Sequence, residues 1–285
     1  MQHPTIPIRA FAAEPDDGLE YMPMPREMTT FEMPAVPDSG PDSDVAGARD
    51  VLAAFLDHLG PDLDGTGVLS ALDLVGLAPQ ALRVVNETLG EGEVAAIVDA
   101  PSRIRIQETV FSGVWREQHV GADGSLMHDY LLAAAIPPVV GALARAGAEP
   151  KLRPLALPAG AMNVPALLHE LQEAIDRCTP ATPAHVINLT LLPLSREDSV
   201  HLDAVLDGGT VVILSRGFGN CRISSTAARD VWRVQYFNNM QTLILDTVEV
   251  AAMPEVAVAA REDLAESRER LADLVRWMSE SIVAS

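Results

Sequence analysis

Cysteine is scarce in this sequence, and it has no long apolar run. Two cysteines, Cys178 and Cys221, cannot form a disulfide framework, and no C-x-x-C motif indicates a redox or zinc module. The longest apolar run, residues 131–144, is interrupted by two prolines and is shorter than the roughly 20 residues needed to span a bilayer. The N-terminus lacks the apolar segment of a secretory signal. These absences predict a cytoplasmic protein without a membrane span.

Positive charge is also in short supply. The chain has 20 Lys+Arg residues against 40 Asp+Glu residues, which gives a formal net charge of -20. Proteins that bind DNA, RNA or anionic membranes need clustered Lys and Arg to neutralise phosphates, so nucleic acid is excluded as a partner. The expected partner is neutral or basic. Because 48% of the residues are hydrophobic, the chain has enough apolar material for a folded core.

Motifs of catalysis and of cofactor binding are missing as well. No G-x-S-x-G, P-loop or dinucleotide fingerprint occurs, and no nucleophile and base can be paired, so we predict no enzyme, no catalytic residue and no cofactor. Residues 62–73, DLDGTGVLSALD, resemble a calcium loop but end in Asp where a bidentate Glu is expected. A polar turn is the favoured interpretation, and no metal site is predicted.

The chain contains an internal repeat with an offset of 117 residues. Without gaps, sixteen of 51 positions in 89–139 match 206–256, including Trp115 with Trp232, two of the three tryptophans. We interpret this as a duplicated unit. The predicted organisation is an extended, Pro-rich acidic tail at 1–45, a first repeat at 46–150, a second repeat at 163–258 and a C-terminal amphipathic helix at 259–285. Residues 46–150 are called the first half below, and residues 163–258 the second half.

Each half changes from helical to strand periodicity. Residues 46–59 and 164–177 have helical spacing, VINLTLLPL reads as a strand, and a short helix ends near Gly90 or Gly208. Short β-branched and aromatic segments separated by turns then follow. The predicted fold class is α+β, with two tandem copies of a helix-strand-helix-antiparallel meander unit that pack about a pseudo-twofold axis.

Two groups of polar residues in the second half are candidates for function. In GFGNC, residues 217–221, the glycines predict a hairpin loop; Cys221 is either an exposed thiol beside a cation or a small buried residue, and the second alternative is favoured. In the strand of Trp232, Arg233 and Gln235 share one face. They are predicted mainly to satisfy carboxylate or backbone groups, with a binding groove as the alternative.

Several stretches resemble the hydrogenase expression/formation proteins of the HupH and HyaF type. They are EYMPMPREM in the tail, LGEGEV and IQETVFSGVWR in the first half, and GFGNCRISST and VWRVQYFNNMQTLILDTVEV in the second. The resemblance implies an accessory protein for maturation of the nickel-iron uptake hydrogenase. It implies a chaperone of the small, iron-sulfur-bearing subunit precursor before twin-arginine export, with other hydrogenase accessory proteins as further candidate partners.

The acidic charge fits this role, because a twin-arginine leader is basic. The residues predicted to contact the partner are Tyr21, Pro23, Pro25, Phe31, Gly217, Gly219, Asn220, Cys221, Arg233 and Gln235. The tail residues are expected to cover an apolar groove until the client displaces them. Two alternatives remain: an iron-sulfur or metal carrier that uses Cys221, and an ordinary hydrolase, for which no nucleophile-base pair is found.

Overall fold

The computed structural model describes residues 42–58, 71–100, 102–217 and 219–284. Within these residues the chain forms six α-helices. They are α1 (Asp42–His58), α2 (Pro79–Leu89), α3 (Pro138–Ala146), α4 (Val164–Arg177), α5 (Arg196–Leu206) and α6 (Arg261–Ala284). The helix predicted at 164–177 is confirmed as α4. Proline occupies the first turn of α2, α3 and α4, where its missing N–H breaks no helical hydrogen bond.

The same residues form ten β-strands. They are β1 (Leu72–Asp73), β2 (Val94–Ala100), β3 (Ser102–Glu108), β4 (Val114–Val120), β5 (Leu126–Ala133), β6 (His185–Asn188), β7 (Val211–Ser215), β8 (Asn220–Ser225), β9 (Val231–Phe237) and β10 (Leu243–Val250). All ten belong to one sheet with the order β1-β5-β4-β3-β2-β7-β8-β9-β10-β6. Every pairing between these strands is antiparallel, so the predicted α+β class with antiparallel meanders is confirmed.

The two halves meet at the centre of the sheet, where β2 pairs with β7. Successive side chains of a strand point to opposite faces. Trp115 and Trp232 lie on one face, which we call the tryptophan face, and share a buried core with Val140 and Ala144 of α3. The opposite face, called the arginine face, bears Arg116 and Arg233. Helices α1, α2 and α6 pack on this face in the first half, and α4 and α5 in the second.

Several buried contacts recur at a spacing of 117 residues. Trp115 Nε1 donates to the Ala134 carbonyl at 2.8 Å, and Trp232 Nε1 donates to the Ala251 carbonyl at 3.1 Å. Two ion pairs, Arg116 with Asp129 and Arg233 with Asp246, cross between neighbouring strands in the same way. Each half therefore uses the same polar contacts to hold its two outer meander strands together.

The strand predicted for VINLTLLPL is too long. Strand β6 ends at Asn188, and residues Leu189–Leu191 form a 3-10 helix. The Asn188 side chain accepts a hydrogen bond from the Thr190 N–H at 3.0 Å, which turns the backbone out of the strand. The leucines that follow β6 are thus placed in a turn, and their apolar pattern alone does not distinguish the two conformations.

Candidate functional site

The GFGNC segment is a hairpin loop between β7 and β8, as predicted. Gly219 has a φ of +97°, a conformation that suits glycine because it has no Cβ. A Cβ added at Gly217 would lie 2.3 Å from a carboxylate oxygen of Glu93, so a larger residue here would displace the Glu93 side chain. Asn220 begins β8 on the arginine face, and Phe218 lies outside the described residues. The glycines thus have a structural role; their proposed contact with a partner stays a prediction.

Cys221 is buried on the tryptophan face. Its side chain is 1% exposed and packs in the same core as Trp232. Burial raises the pKa of the Cys221 thiol to about 12, although a hydrogen bond with Tyr236 opposes the rise. The idea of an exposed thiol activated by Arg222 is therefore wrong, because alternation along β8 directs the two side chains to opposite faces. The favoured alternative, a small buried residue, is confirmed.

Arg233 is held by carboxylates, as the main interpretation predicted. It forms a two-point ion pair with Asp246, and its Nη1 lies 3.3 Å from Asp203 Oδ1 of α5. Gln235 is half-buried on the same face, between Arg222 and Asp246 in the strand register. Asn220, Arg233 and Gln235 therefore share the arginine face, with Asn220 opposite Phe237 and Arg233 opposite Ser224, while Cys221 lies on the other side of the sheet.

Some predicted features fall in parts of the chain that are not described. Tyr21, Pro23, Pro25 and Phe31 lie outside the described residues, as does most of the calcium-like loop. Across 42–58, 71–100, 102–217 and 219–284, no group of three or more His, Cys, Asp or Glu residues is placed to hold a metal ion. None of the helices within those ranges is long and apolar enough to cross a bilayer.

A shallow cavity of the second half lies along α5. A groove of about 290 Å³ separates α5 from the connecting segment 147–163, and we call it the α5 groove. Its lining is mainly apolar and consists of Ala156, Pro158, Arg196, Glu197, Val200, His201 and Ala204. Leu155, Leu157, Met162 and Val200 are exposed large apolar residues on the connecting segment and α5. An exposed concave surface of this kind is typical of a binding site for an apolar segment.

The corresponding helix of the first half has no such surface. Val200 and Ala204 of α5 stand 117 residues after Arg83 and Glu87 of α2. Arg83 and Glu87 form an exposed ion pair one turn apart, with 3.9 Å between Nε and Oε1. Val200, by contrast, is an apolar side chain left 55% exposed. Because residues that differ between the halves are freer to serve function than residues that match, this exchange favours the α5 groove as a site.

The buried carboxylate of Asp198 fixes the end of the groove. It accepts backbone hydrogen bonds from Met162 at 2.8 Å, Asn163 at 3.1 Å, Val164 at 3.1 Å and Ser195 at 3.0 Å. Burial alone would raise the pKa of Asp198, but these N–H donors outweigh it and hold the pKa well below its ordinary value. One side chain thus joins the first turns of α4 and α5.

The connecting segment is fixed at further points. The Leu152 N–H donates to Gln172 Oε1 of α4 at 3.0 Å, and Arg153 Nη2 donates to the Asp207 carbonyl after α5 at 3.2 Å. These bonds attach the segment to both helices of the second half. The wall of the groove is therefore held in place by polar contacts, so that its apolar side chains stay exposed.

His201 forms part of the groove lining and has an unusual environment. Its side chain is buried, and Nε2 has no hydrogen-bond partner within the described part of the chain. The matching residue in the first half is Val84, an apolar core residue. A buried polar atom without a partner is costly, so its presence here, on the groove side of α5, again distinguishes the second half.

The α5 groove was not among the sites predicted from the sequence. The gapless comparison that revealed the repeat also contains its signal, because Asp198, Val200, His201 and Ala204 replace Ala81, Arg83, Val84 and Glu87. The second wall of the groove, which is formed by the connecting segment, has no counterpart in the repeat and was not predictable in this way. The apolar and proline-rich pattern of 152–162 does not predict which helix that segment will contact.

Comparisons with known proteins place the chain in one family. The sequence profile of the "HupH hydrogenase expression protein, C-terminal conserved region" matches residues 45–149 and again residues 161–278. The hydrogenase expression/formation protein HoxQ of Cupriavidus necator is 41% identical over 264 residues, which cover 92% of this chain and 93% of that protein. HupH of Rhodobacter capsulatus is 40% identical over 267 residues, with 92% of each protein covered.

A more distant relative and a solved protein are also similar to this chain. The hydrogenase-1 operon protein HyaF of Escherichia coli is 33% identical over 218 residues, or 75% of each chain. The solved hydrogenase expression protein HupH of Thiobacillus denitrificans is 31% identical and covers 41% of this chain and 96% of its own, with a TM-score of 0.37. From the profile matches and these identities, the chain belongs to the HupH family of hydrogenase expression/formation proteins.

Proposed function

We propose that this protein assists the maturation of a nickel-iron uptake hydrogenase as a chaperone of the small-subunit precursor. It would bind the precursor in the cytoplasm before twin-arginine export. The observation on which the proposal depends is the α5 groove, an exposed apolar surface on a strongly acidic chain, at positions where α2 of the first half has the charged residues Arg83 and Glu87. The names of the relatives support a role in hydrogenase maturation.

The chemistry of a twin-arginine leader suits this surface. Such a leader combines a basic segment with an apolar one. The net charge of -20 attracts the basic segment over a distance and speeds encounter, while burial of apolar area in the α5 groove stabilises the complex. Apolar burial contributes roughly 25 cal/mol per Å², so a few side chains seated in the groove are enough for a reversible complex.

The binding experiment uses purified protein and the small-subunit precursor. We expect capture of the precursor with its twin-arginine leader, weak capture of the same subunit without the leader, and no iron in the eluate. Salt should weaken the capture, because charge attraction is screened at high ionic strength. Equal capture of the subunit with and without its leader, together with iron in the eluate, would contradict the chaperone proposal and favour a metal or cluster carrier.

The carrier alternative needs a reactive thiol, and the burial of Cys221 argues against it. The Cys221 side chain is 1% exposed in the core of the tryptophan face, and burial raises the pKa of its thiol, so the sulfur is neither accessible nor activated for a metal or cluster. Cys178 is half-buried at the end of α4, and burial raises the pKa of its thiol as well.

Replacing Cys221 by alanine is therefore expected to leave maturation intact. Hydrogenase activity would be measured in a host whose own copy of the gene is replaced by the Cys221→Ala variant, with Cys178→Ala as the matched control. Loss of activity in Cys221→Ala, with a thermal melt like that of the unaltered protein, would return the carrier to consideration.

We infer also that the two halves derive from a duplication and are related by a pseudo-twofold axis between β2 and β7. In support, the strand order reads outward from this pair as β3-β4-β5-β1 in one direction and β8-β9-β10-β6 in the other. Equivalent ion pairs and tryptophan contacts lie at equal distances from the centre of that order.

A further inference from the structure

The strand at one end of the sheet has an open side. Strand β6 pairs with β10 through four continuous residue pairs and has no neighbour on its other side within the described residues. Such an edge presents unpaired N–H and C=O groups that can bond to another extended chain, and proteins commonly block it. Residues His185–Asn188 include none of the usual blocking features, since they contain no proline, no lysine and no bulge.

The opposite end of the sheet has a shorter edge strand. Strand β1 has two residues only, and Asp73 Oδ1 accepts the Val75 N–H at 3.0 Å, which turns the backbone away. Asp73 also contacts His128 of β5, with 3.3 Å between Oδ2 and Nδ1. Among the described residues, β6 is therefore the longer and more regular of the two edge strands, and its outer side has no paired neighbour.

Exposed apolar side chains occur on the edge strand and in the turn that follows it. Val186 of β6 is 52% exposed. The turn that follows exposes Leu191 to 78%, whereas Leu74, its counterpart in the first half, is 3% exposed. Thr190 Oγ1 accepts the Asp246 N–H at 2.9 Å and so keeps this turn beside β10. The chain then reaches α5 at Arg196, so this turn links the edge strand to the helix that forms one wall of the α5 groove.

The charges around the edge are mainly negative. Glu170 of α4 contacts His185 of β6, with 2.8 Å between Oε1 and Nε2. Glu173 lies about one turn further along α4, and Glu249 of β10 pairs with Val186. Arg177 is the cation of this group, and it lies 3.6 Å from Glu173. A segment that lies along β6 would therefore be favoured if it has basic residues next to apolar ones.

We propose that the open edge of β6 binds the basic part of the client leader as an added antiparallel or parallel strand. Backbone hydrogen bonds to β6 supply affinity, Val186 contacts alternate apolar side chains, and the carboxylates of α4 attract the arginines. This rests on the proposed function for the identity of the client. The apolar part of the leader then continues past Leu191 into the α5 groove.

The test uses the full chain and a synthetic peptide of the small-subunit leader, with binding followed by fluorescence anisotropy. A series of peptides, each N-methylated at one backbone position, should show a two-residue period: about tenfold weaker binding at every second position and little change between. The variant Val186→Lys should bind the unmodified peptide at least about tenfold more weakly. Val75→Lys is the matched control, since Val75 is also 52% exposed and adjoins the edge strand at the opposite end of the sheet.

The outcomes separate this inference from the proposed function. Peptide binding with no two-residue period, and unchanged by Val186→Lys, overturns strand addition and leaves the chaperone proposal in place. A peptide that does not bind the unaltered protein overturns both. Glu170→Gln is a second variant that alters no backbone; it should weaken binding at low salt and reduce the dependence of binding on salt concentration.

Discussion

The double variant Val200→Arg/Ala204→Glu is expected to bind the small-subunit precursor at least about 30-fold more weakly, or roughly 2 kcal/mol. These substitutions give α5 the residues that α2 has at the matching positions, Arg83 and Glu87. They put two charged side chains in the α5 groove, where an apolar client segment would have to bury them. Stability should change little, because the same pair is tolerated one turn apart on the surface of α2.

The matched control is the reverse exchange on α2, Arg83→Val/Glu87→Ala. It makes α2 apolar without supplying the wall that the connecting segment gives α5, so precursor binding should stay within about twofold of the unaltered protein. Binding would be measured by titration against the precursor, and folding by thermal melts. A folded groove variant that binds the precursor normally would rule out the α5 groove as the site.

The largest loss of stability is expected for Asp129→Ala, about 3 kcal/mol, against about 1–2 kcal/mol for Asp246→Ala. Each substitution removes the carboxylate that pairs with a largely buried arginine. Arg116 would be left with the neutral amide of Asn86, whereas Arg233 keeps the charged Asp203 at 3.3 Å. Without Asp129, the neutral Asn86 remains beside Arg116, whereas without Asp246 the charged Asp203 remains beside Arg233.

Urea unfolding at pH 7 would measure both free energies. The replacement of each whole pair by apolar residues, Arg116→Met/Asp129→Leu and Arg233→Met/Asp246→Leu, is the control, because a pair replaced together leaves no buried charge. Equal losses of stability for Asp129→Ala and Asp246→Ala would show that Asp203 of α5 does not stabilise the charge of Arg233 when Asp246 is absent.

Strand and helix patterns were predictable where a single periodicity ran through a segment. The alternation in 231–237 gave β9, and the helical spacing in 164–177 gave α4. The segment 186–194 failed, because the side-chain hydrogen bond of Asn188 ends the strand and hydrophobicity does not record it. A single hydrogen bond between a side chain and the backbone can thus end a strand whose apolar pattern continues for several more residues.

The candidate site was harder to predict for a different reason. Cys221 was a candidate because cysteine is a reactive residue type. Which face of the sheet it occupies depends on the residue at which β8 begins, and the glycine-rich loop before β8 does not predict that residue. The α5 groove consists of ordinary residues, alanine, proline and valine, that have no chemical signature. Its function depends on which surfaces are left uncovered, and that is a property of the packed chain.

The C-terminal helix α6 determines when this protein can finish folding. Leu271 and Met278 of α6 share a buried core with Leu52 and Phe55 of α1, and a Cβ at Gly113 would overlap Leu264. During synthesis, α1 emerges from the ribosome long before α6 is translated. Until then, the apolar face of α1 that packs against α6 stays exposed. Helix α6 thus completes a core to which α1 contributes, and a chain that stops before α6 is expected to expose the apolar face of α1.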